Sequence, residues 1–366
     1  MRLNEPYLIL DLNDNKIIFF IVSFDENNDF KLIRKIFLES SGIQNGHVVD
    51  IDAVSKLLKK NINSLEEDID FFFSDATVII NPFQTNSLNV SGYKKLNGSQ
   101  VSTEDITYIL NDIKKIILDS ENNYSLIHLF NSNFSLDSDN LENLPIGLFG
   151  EFYNQNMTFF LVNKNVLKNI KSVFNNCGLN VEKIVLRPFA TGINLLAKNN
   201  LEKNFTILNL EKNRINVSLF KNKSFLFTED FNFGINLITK DISKLCSLKI
   251  EEVENFMKKT ELKNIIENNK EAYLEEKYFY NSPYRKIKYE LISDIMSARL
   301  EELFEVCYKK NTNIKNLRNV DKIYVYVNAD SLNYFKNIQY VLNKNILTTL
   351  ECVFNNLTEP TLSSAA

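Results

Sequence analysis

Two stretches far apart in the chain read alike. Tyr7 to Ile17 runs Tyr-Leu-Ile-Leu-Asp-Leu-Asn-Asp-Asn-Lys-Ile, and Phe205 to Ile215 runs Phe-Thr-Ile-Leu-Asn-Leu-Glu-Lys-Asn-Arg-Ile. Each is a β-rich run broken by a polar cluster of hairpin chemistry. Each continues into a second apolar strand, ending near Val22 or Phe220. Each then reaches a third, Phe30 to Leu38 in one case and Phe225 to Phe231 in the other. Generic hairpins can match by chance over so short a span, but the shared third strand argues for an internal duplication. Such a chain is expected to fold as two related halves.

Between the repeats lies material of another kind. After the loop Ser40 to Gly46, Val54, Leu57, Leu58, Ile62 and Leu65 recur at helical spacing, with Asp50 or Asp52 as the N-cap. Ser102-Thr103-Glu104-Asp105 has capping-box spacing and opens a helix striped by Ile106, Ile109, Leu110, Ile113 and Ile117. Strands are predicted at Leu126–Phe130 and Met157–Val162, a loop at Asp137–Asn143, and a helix over Val166–Cys177 closed by Gly178. This block reads as an α+β insertion in the first half. In the second half, helices are predicted from Thr239, over Ile250–Leu262, and over Arg285–Tyr308 with Leu291, Ile295, Leu303 and Cys307 on its apolar face. A strand at Lys322–Val327 and a helix bearing Phe335, Ile338 and Leu342 follow.

Composition then narrows the chemistry. Lys plus Arg number 42 against 46 Asp plus Glu, for a net charge of -4, and no basic excess marks a nucleic-acid binder. The 4 cysteines lack C-x-x-C spacing, which excludes a familiar zinc framework and suits reduced thiols in a cytoplasmic setting. The 2 histidines, His47 in a turn and His128 in a strand, form no pair and no triad with Ser and Asp. No apolar run approaches the roughly 20 residues of a membrane span, and Met1 to Glu5 does not begin a signal peptide. Only 9 glycines are present in 366 residues. Glycine is what lets a backbone close on a phosphate, so few such loops can be built.

With these elements in order, the chain resembles the bacterial cell-division family FtsA of the actin-like superfamily. The resemblance runs through Ile9-Leu10-Asp11, Ser41 to Asp50, Asn89-Val90-Ser91-Gly92, Asn133 to Asp137, Pro145 to Gly150, Cys177 to Pro188, Gly234 to Ile242 and Ala298 to Leu303. It implies an α/β, actin-like duplicated fold, two ribonuclease-H-like halves with an inserted α+β 1C subdomain of SHS2 type. The implied boundaries are 1–83 and 165–202 for 1A, 84–164 for 1C, 203–240 and 301–366 for 2A, and 241–300 for 2B. It further implies an adaptor that binds the C-terminal tail of the tubulin-like protein FtsZ and self-associates as filament or dimer. Such an adaptor recruits later division proteins and works at the cytoplasmic face of the inner membrane, with no nucleic-acid partner. The tail contact would fall in 241–300, where Arg285, Lys286 and Lys288 are the candidate partners of an acidic peptide. The family's membrane-binding C-terminal helix has no counterpart here, and Glu359 to Ala366 reads as the start of the family's last helix, cut short.

The resemblance also implies a nucleotide site, and there the residues depart from the family. Its first loop is Asp11, Asn13 and Lys16, with Asn where the family has Gly. Its second is Asn209, Glu211, Lys212, Asn213 and Asn216, where both family carboxylates and every glycine are replaced. Gly234 persists, and at the third loop Asn328 stands near the lost Gly-Gly. The expectation is weak or absent ATP binding, no catalytic residues, no metal ligand and no enzymatic activity, with ATP and Mg²⁺ as the cofactors only if the site works. The alternatives are an active ATPase or phosphotransferase of the superfamily, or a scaffold for pilus or envelope assembly.

Overall fold

The computed structural model describes residues 5–26, 30–198, 203–315, 322–327, 331–345 and 350–354. The chain divides into two compact units. Among the described residues, one takes in those up to Lys203 together with Phe220–Thr228, and the other takes in Asn204–Leu219 and those from Glu229 to Phe354.

The first unit begins with β1 (Tyr7–Leu12), β2 (Lys16–Phe24) and β3 (Phe30–Glu39), followed by β4 (Ile43–Gln44), β5 (His47–Val48), α1 (Ile51–Ile69) and β6 (Asp75–Ile80). Asp50 caps α1, its Oδ1 accepting from the Ala53 amide at 2.9 Å, and Val54, Leu58, Ile62 and Leu65 bury the face that the spacing predicts. Ser40 to Gly46 was expected to be a plain loop, but Ile43 and Gln44 pair with Val48 and His47 across a two-residue turn. Asn45 and Gly46 both have positive φ there, the geometry that Asn-Gly favours. A Cβ on Gly46 would lie 2.1 Å from the Asn81 carbonyl oxygen, so only glycine fits.

Next come β7 (Asn86–Lys95), α2 (Thr103–Ser120), β8 (Tyr124–Leu136), β9 (Asp139–Leu141) and β10 (Phe152–Asn163), then α3 (Lys164–Asn176), β11 (Asn180–Leu186) and α4 (Arg187–Lys198). Strands β7 to β10 form their own sheet, ordered β7-β10-β8-β9, inserted in sequence between two strands of the first sheet. The capping box at Ser102 and Asp105 is formed. Gly92 on β7 has no Cβ because Ile109 and Ile113 of α2 occupy that space, at 2.3 and 2.4 Å. β8 and β10 are longer than the sequence predicts, and the expected loop at Asp137–Asn143 contains β9. Asp137 turns the chain at φ 55°, and its Oδ1 accepts from the Glu151 and Phe152 amides.

The second sheet draws on β12 (Phe205–Leu210), β13 (Ile215–Lys221), β14 (Ser224–Phe231), β15 (Lys322–Val327) and β16 (Leu350–Phe354). Its order is β14-β13-β12-β15-β16, and that of the first is β3-β2-β1-β6-β11. Strand for strand these match. In each sheet the opening strand pairs parallel with the fourth and the fourth with the fifth. The duplication read from the repeated hairpin therefore extends to whole sheets.

The second unit's helices are α5 (Asn236–Cys246), α6 (Ile250–Lys259), α7 (Leu262–Asn268), α8 (Tyr289–Phe304), α9 (Thr312–Lys315) and α10 (Leu332–Asn345). Two predictions are corrected here. Ile250–Leu262 is not one helix, because the chain is extended at Thr260. Fully buried Asn337 of α10 serves the break, accepting from the Leu262 amide at 2.8 Å and donating to the Thr260 carbonyl at 2.9 Å. The helix expected from Arg285 to Tyr308 starts at Tyr289 and passes into a π-helical turn, Glu305–Lys309. Ahead of it the chain is extended, tied to Leu274 and Ala272 through Ile287 and Tyr289. The buried face of α8 is Ile292, Met296, Leu300 and Leu303, while Leu291 is exposed.

His128 is a part-buried structural residue whose ring is satisfied, as the sequence suggests. Its Nε2 accepts from the Leu186 amide at 3.0 Å, and its ring packs against Phe130 and Phe189. Burial holds its pKa down to about 4, so the neutral ring is the native form. Between pH 6.5 and 4 the unfolded chain binds the proton that the native state refuses, so stability falls as pH falls through that window. The loss amounts to about 3 kcal/mol. Thermal unfolding between pH 7.5 and 4.5 checks this, and His128→Asn is expected to flatten that part of the pH dependence.

Candidate functional site

The two hairpin loops that open the halves are each held shut by the chain itself. At the end of β1, Asp11 is fully buried. Its counter-charge is Arg187, the first residue of α4, itself 3% exposed. The guanidinium Nη2 and Nε both donate to Asp11 Oδ1, Nη2 also donates to the Leu12 carbonyl at 3.1 Å, and Nη1 donates to Asn13 Oδ1 at 2.5 Å. Burial pushes the Asp11 pKa up and the guanidinium pulls it back. Asp11 Oδ2 and Asn13 Nδ2 are buried and have no partner. Asp14 turns the other way, its carboxylate accepting from the Asn45 and Gly46 amides at 2.8 and 2.7 Å. The Asn-Gly turn thus serves as an anion nest for a side chain of this same loop. Lys16, at the start of β2, is exposed.

The second loop closes through backbone. Glu211 N donates to Arg214 O at 2.9 Å, and the amides of Ile235 and Asn236, entering α5, donate to the carbonyls of Glu211 and Lys212 at 3.0 and 2.9 Å. The amides at a helix start are the groups that bind anions, and these two are already engaged by loop carbonyls. Gly234 makes the close approach possible. A Cβ there would lie 2.3 Å from the Glu211 oxygen and 2.6 Å from both the Arg214 nitrogen and the Lys212 oxygen.

Side chains complete the second loop. Asn213 Oδ1 accepts from Asn236 at 2.6 Å, Asn209 donates to Glu211 at 3.2 Å, and Lys212 pairs with Glu254 at 3.1 Å. Arg214 is buried against Asp230 at 2.8 Å, and Asn216 donates to the same carboxylate at 2.9 Å. The structure therefore brings Asp11 and Asn13 together in one unit, and Asn209, Glu211, Lys212, Asn213, Asn216 and Gly234 together in the other. Asn328 lies outside the described residues. Among the described residues no group of three His, Cys, Asp or Glu side chains is placed to hold a metal ion. No described helix is long and apolar enough to cross a membrane.

Of the cationic trio, Arg285 and Lys286 are exposed on the extended segment before α8. Lys288 instead pairs with Glu271 at 2.6 Å. Arg187 is the residue at the first loop that sequence reasoning passed over. Its signal was present: a charged side chain in the apolar junction Val185-Leu186-Arg187-Pro188-Phe189 needs a buried partner, and Asp11 sits in an equally apolar strand.

Comparison with known proteins agrees with this architecture. The chain covers 98% of itself and 89% of the solved PilM-PilN type IV pilus biogenesis complex at a TM-score of 0.61 and 12% identity, which shows the fold. No family model matches. The Cell division protein FtsA of Neisseria meningitidis serogroup B is 21% identical over 307 residues, 84% of this chain and 74% of that protein. That of Bacillus subtilis is 22% identical over 310 residues, 84% of this chain and 69% of that protein. The chain is FtsA-like, with an actin-like fold. In this FtsA-like frame the two closed loops stand at the positions that the sequence resemblance gives to phosphate binding.

Because three backbone atoms crowd the missing Cβ of Gly234, alanine there forces loop 2 and the start of α5 apart. Gly234→Ala is expected to cost about 2 kcal/mol, in the range of substitutions that strain a close backbone contact. A urea melt checks this; Gly147→Ala, whose Cβ meets nothing within 4 Å but whose φ of 85° itself disfavours alanine, reports the cost of a strained φ without crowding.

Proposed function

We propose that this protein is a cell-division adaptor that works by binding rather than by hydrolysis. It would hold the C-terminal tail of FtsZ, associate with further copies of itself, and recruit later division proteins at the cytoplasmic face of the inner membrane. The similarity to FtsA over 84% of the chain is the observation that carries the reading. We assign residues 1–83 and 165–202 to 1A, 84–164 to the SHS2-type 1C, 203–240 and 301–366 to 2A, and 241–300 to 2B. Membrane attachment would use a segment outside the described residues or a partner.

The residues present do not suit Mg-ATP. Asp11 faces an arginine, Glu211 adds negative charge where phosphate would lie, and the amides of Ile235 and Asn236 are already bonded to carbonyls. A second reading, a scaffold of pilus assembly, is favoured by the likeness to the PilM-PilN structure over nearly the whole chain.

For the tail contact, exposed Arg285 and Lys286 directly follow Tyr284 in the chain, and Tyr284 and the nearby Tyr280 are 46% and 52% exposed. An acidic, partly apolar peptide suits such a strip, whereas Lys288 is committed to Glu271. Fluorescence anisotropy of a labelled FtsZ tail, titrated with the purified chain without nucleotide, is expected to saturate in the micromolar range. Arg285→Glu with Lys286→Glu is expected to weaken it at least tenfold. Isothermal titration with Mg-ATP is expected to be silent. Absence of tail binding with and without Mg-ATP would favour the pilus scaffold.

A further inference from the structure

We propose that Arg187 is a resident counter-ion that fills, from within the chain, the cation position beside Asp11. It keeps the first loop closed without metal or nucleotide and bars a divalent cation from that carboxylate. The inference rests on the part of the proposed function that dispenses with ATP.

The argument starts from cost. A carboxylate buried as fully as Asp11 is held in a fold only beside a positive charge or as the neutral acid. The guanidinium supplies that charge and does more than neutralise. Its donors reach three consecutive residues, the carboxylate of Asp11, the carbonyl of Leu12 and the amide oxygen of Asn13. This wraps the point where β1 turns into the loop. A planar fork with fixed donors defines one geometry for the loop, as an exchangeable hydrated ion does not. Being covalent, it also has no off-rate.

The approach to the remaining oxygen is unfavourable for metal. Asp11 Oδ2 is buried and unpartnered, yet any cation reaching it meets the adjacent guanidinium as a like charge. The loop's other acid, Asp14, is already engaged by the Asn45 and Gly46 amides. Arg187 thus occupies the electrostatic role, and the loop's remaining ligands are turned elsewhere.

The test uses the full chain and four proteins: the parent, Arg187→Gln, Asp11→Asn and the double substitution. Thermal unfolding is followed in rising MnCl₂, and Mn²⁺ binding is read independently by electron paramagnetic resonance. The parent is expected to show no saturable Mn²⁺ effect. Arg187→Gln is expected to melt lower than the parent and to gain saturable Mn²⁺ binding, with its midpoint rising as it does. Asp11→Asn with Arg187→Gln is expected to lose that response and to melt above Arg187→Gln alone. If Arg187→Gln does not fold, the double variant decides, because a counter-ion role requires that removing both charges restores folding. Saturable Mn²⁺ binding by the parent that Asp11→Asn abolishes would overturn the proposal. So would a double variant no more stable than Arg187→Gln. Failure of the FtsZ tail to bind would count against the adaptor reading and leave these outcomes unchanged.

Discussion

A hairpin loop without glycine cannot fold its own backbone tightly around a ligand, so something else must close it, and both repeats of this chain face that constraint. The first is closed by side chains: a buried arginine on one flank and an anion nest on the other. The second is closed by main chain, with the start of α5 donating into the loop's carbonyls and one surviving glycine allowing the approach. The solutions differ, but both engage the loop's polar groups within the chain itself.

Much of the fold was legible because the signals were local and redundant. The repeated hairpin, the capping box at Ser102, the stripe on α1 and the strand-like setting of His128 each agreed with their neighbours. The errors fell where tertiary contacts override a local pattern. Nothing in Ile250 to Leu262 announces that a buried asparagine some 75 residues later serves a break at Thr260. The start of α8 was placed too early for a similar reason. The residues from Arg285 to Lys288 read in sequence as part of the helix, but the Ile287 carbonyl is engaged by the Leu274 amide and the Tyr289 amide by the Ala272 carbonyl.

The candidate site was legible in outline and not in its chemistry. The sequence resemblance pointed to the loops and to their lost glycines, which is a statement about absence. What fills the space is set by partners distant in sequence. Asp11 and Arg187 are separated by 176 positions, and each is unremarkable where it stands. The anomaly that could have joined them is thermodynamic: two opposite charges set in apolar segments of one half must either meet or leave the core. The Asp14 contact had a weaker signal, since Asn45-Gly46 announces a turn but not what its amides hold.

The choice of counter-ion decides what a loop can report. A cation that arrives with a nucleotide makes loop closure depend on its concentration, so the loop's state carries information about binding. A guanidinium on the neighbouring helix makes closure depend only on folding. Under the proposed adaptor role, that trade removes a switch and leaves a rigid corner between β1 and α4. The burial at this corner fits such a role: the carboxylate is wholly excluded from water, and α4 begins with the residue that neutralises it. A pair of this kind adds little net stability over an apolar pair of equal size, but breaking it from one side is costly. The pair therefore acts through specificity of geometry. The Arg187 donors to Asp11, Leu12 and Asn13 fix where the first hairpin ends and the helix begins.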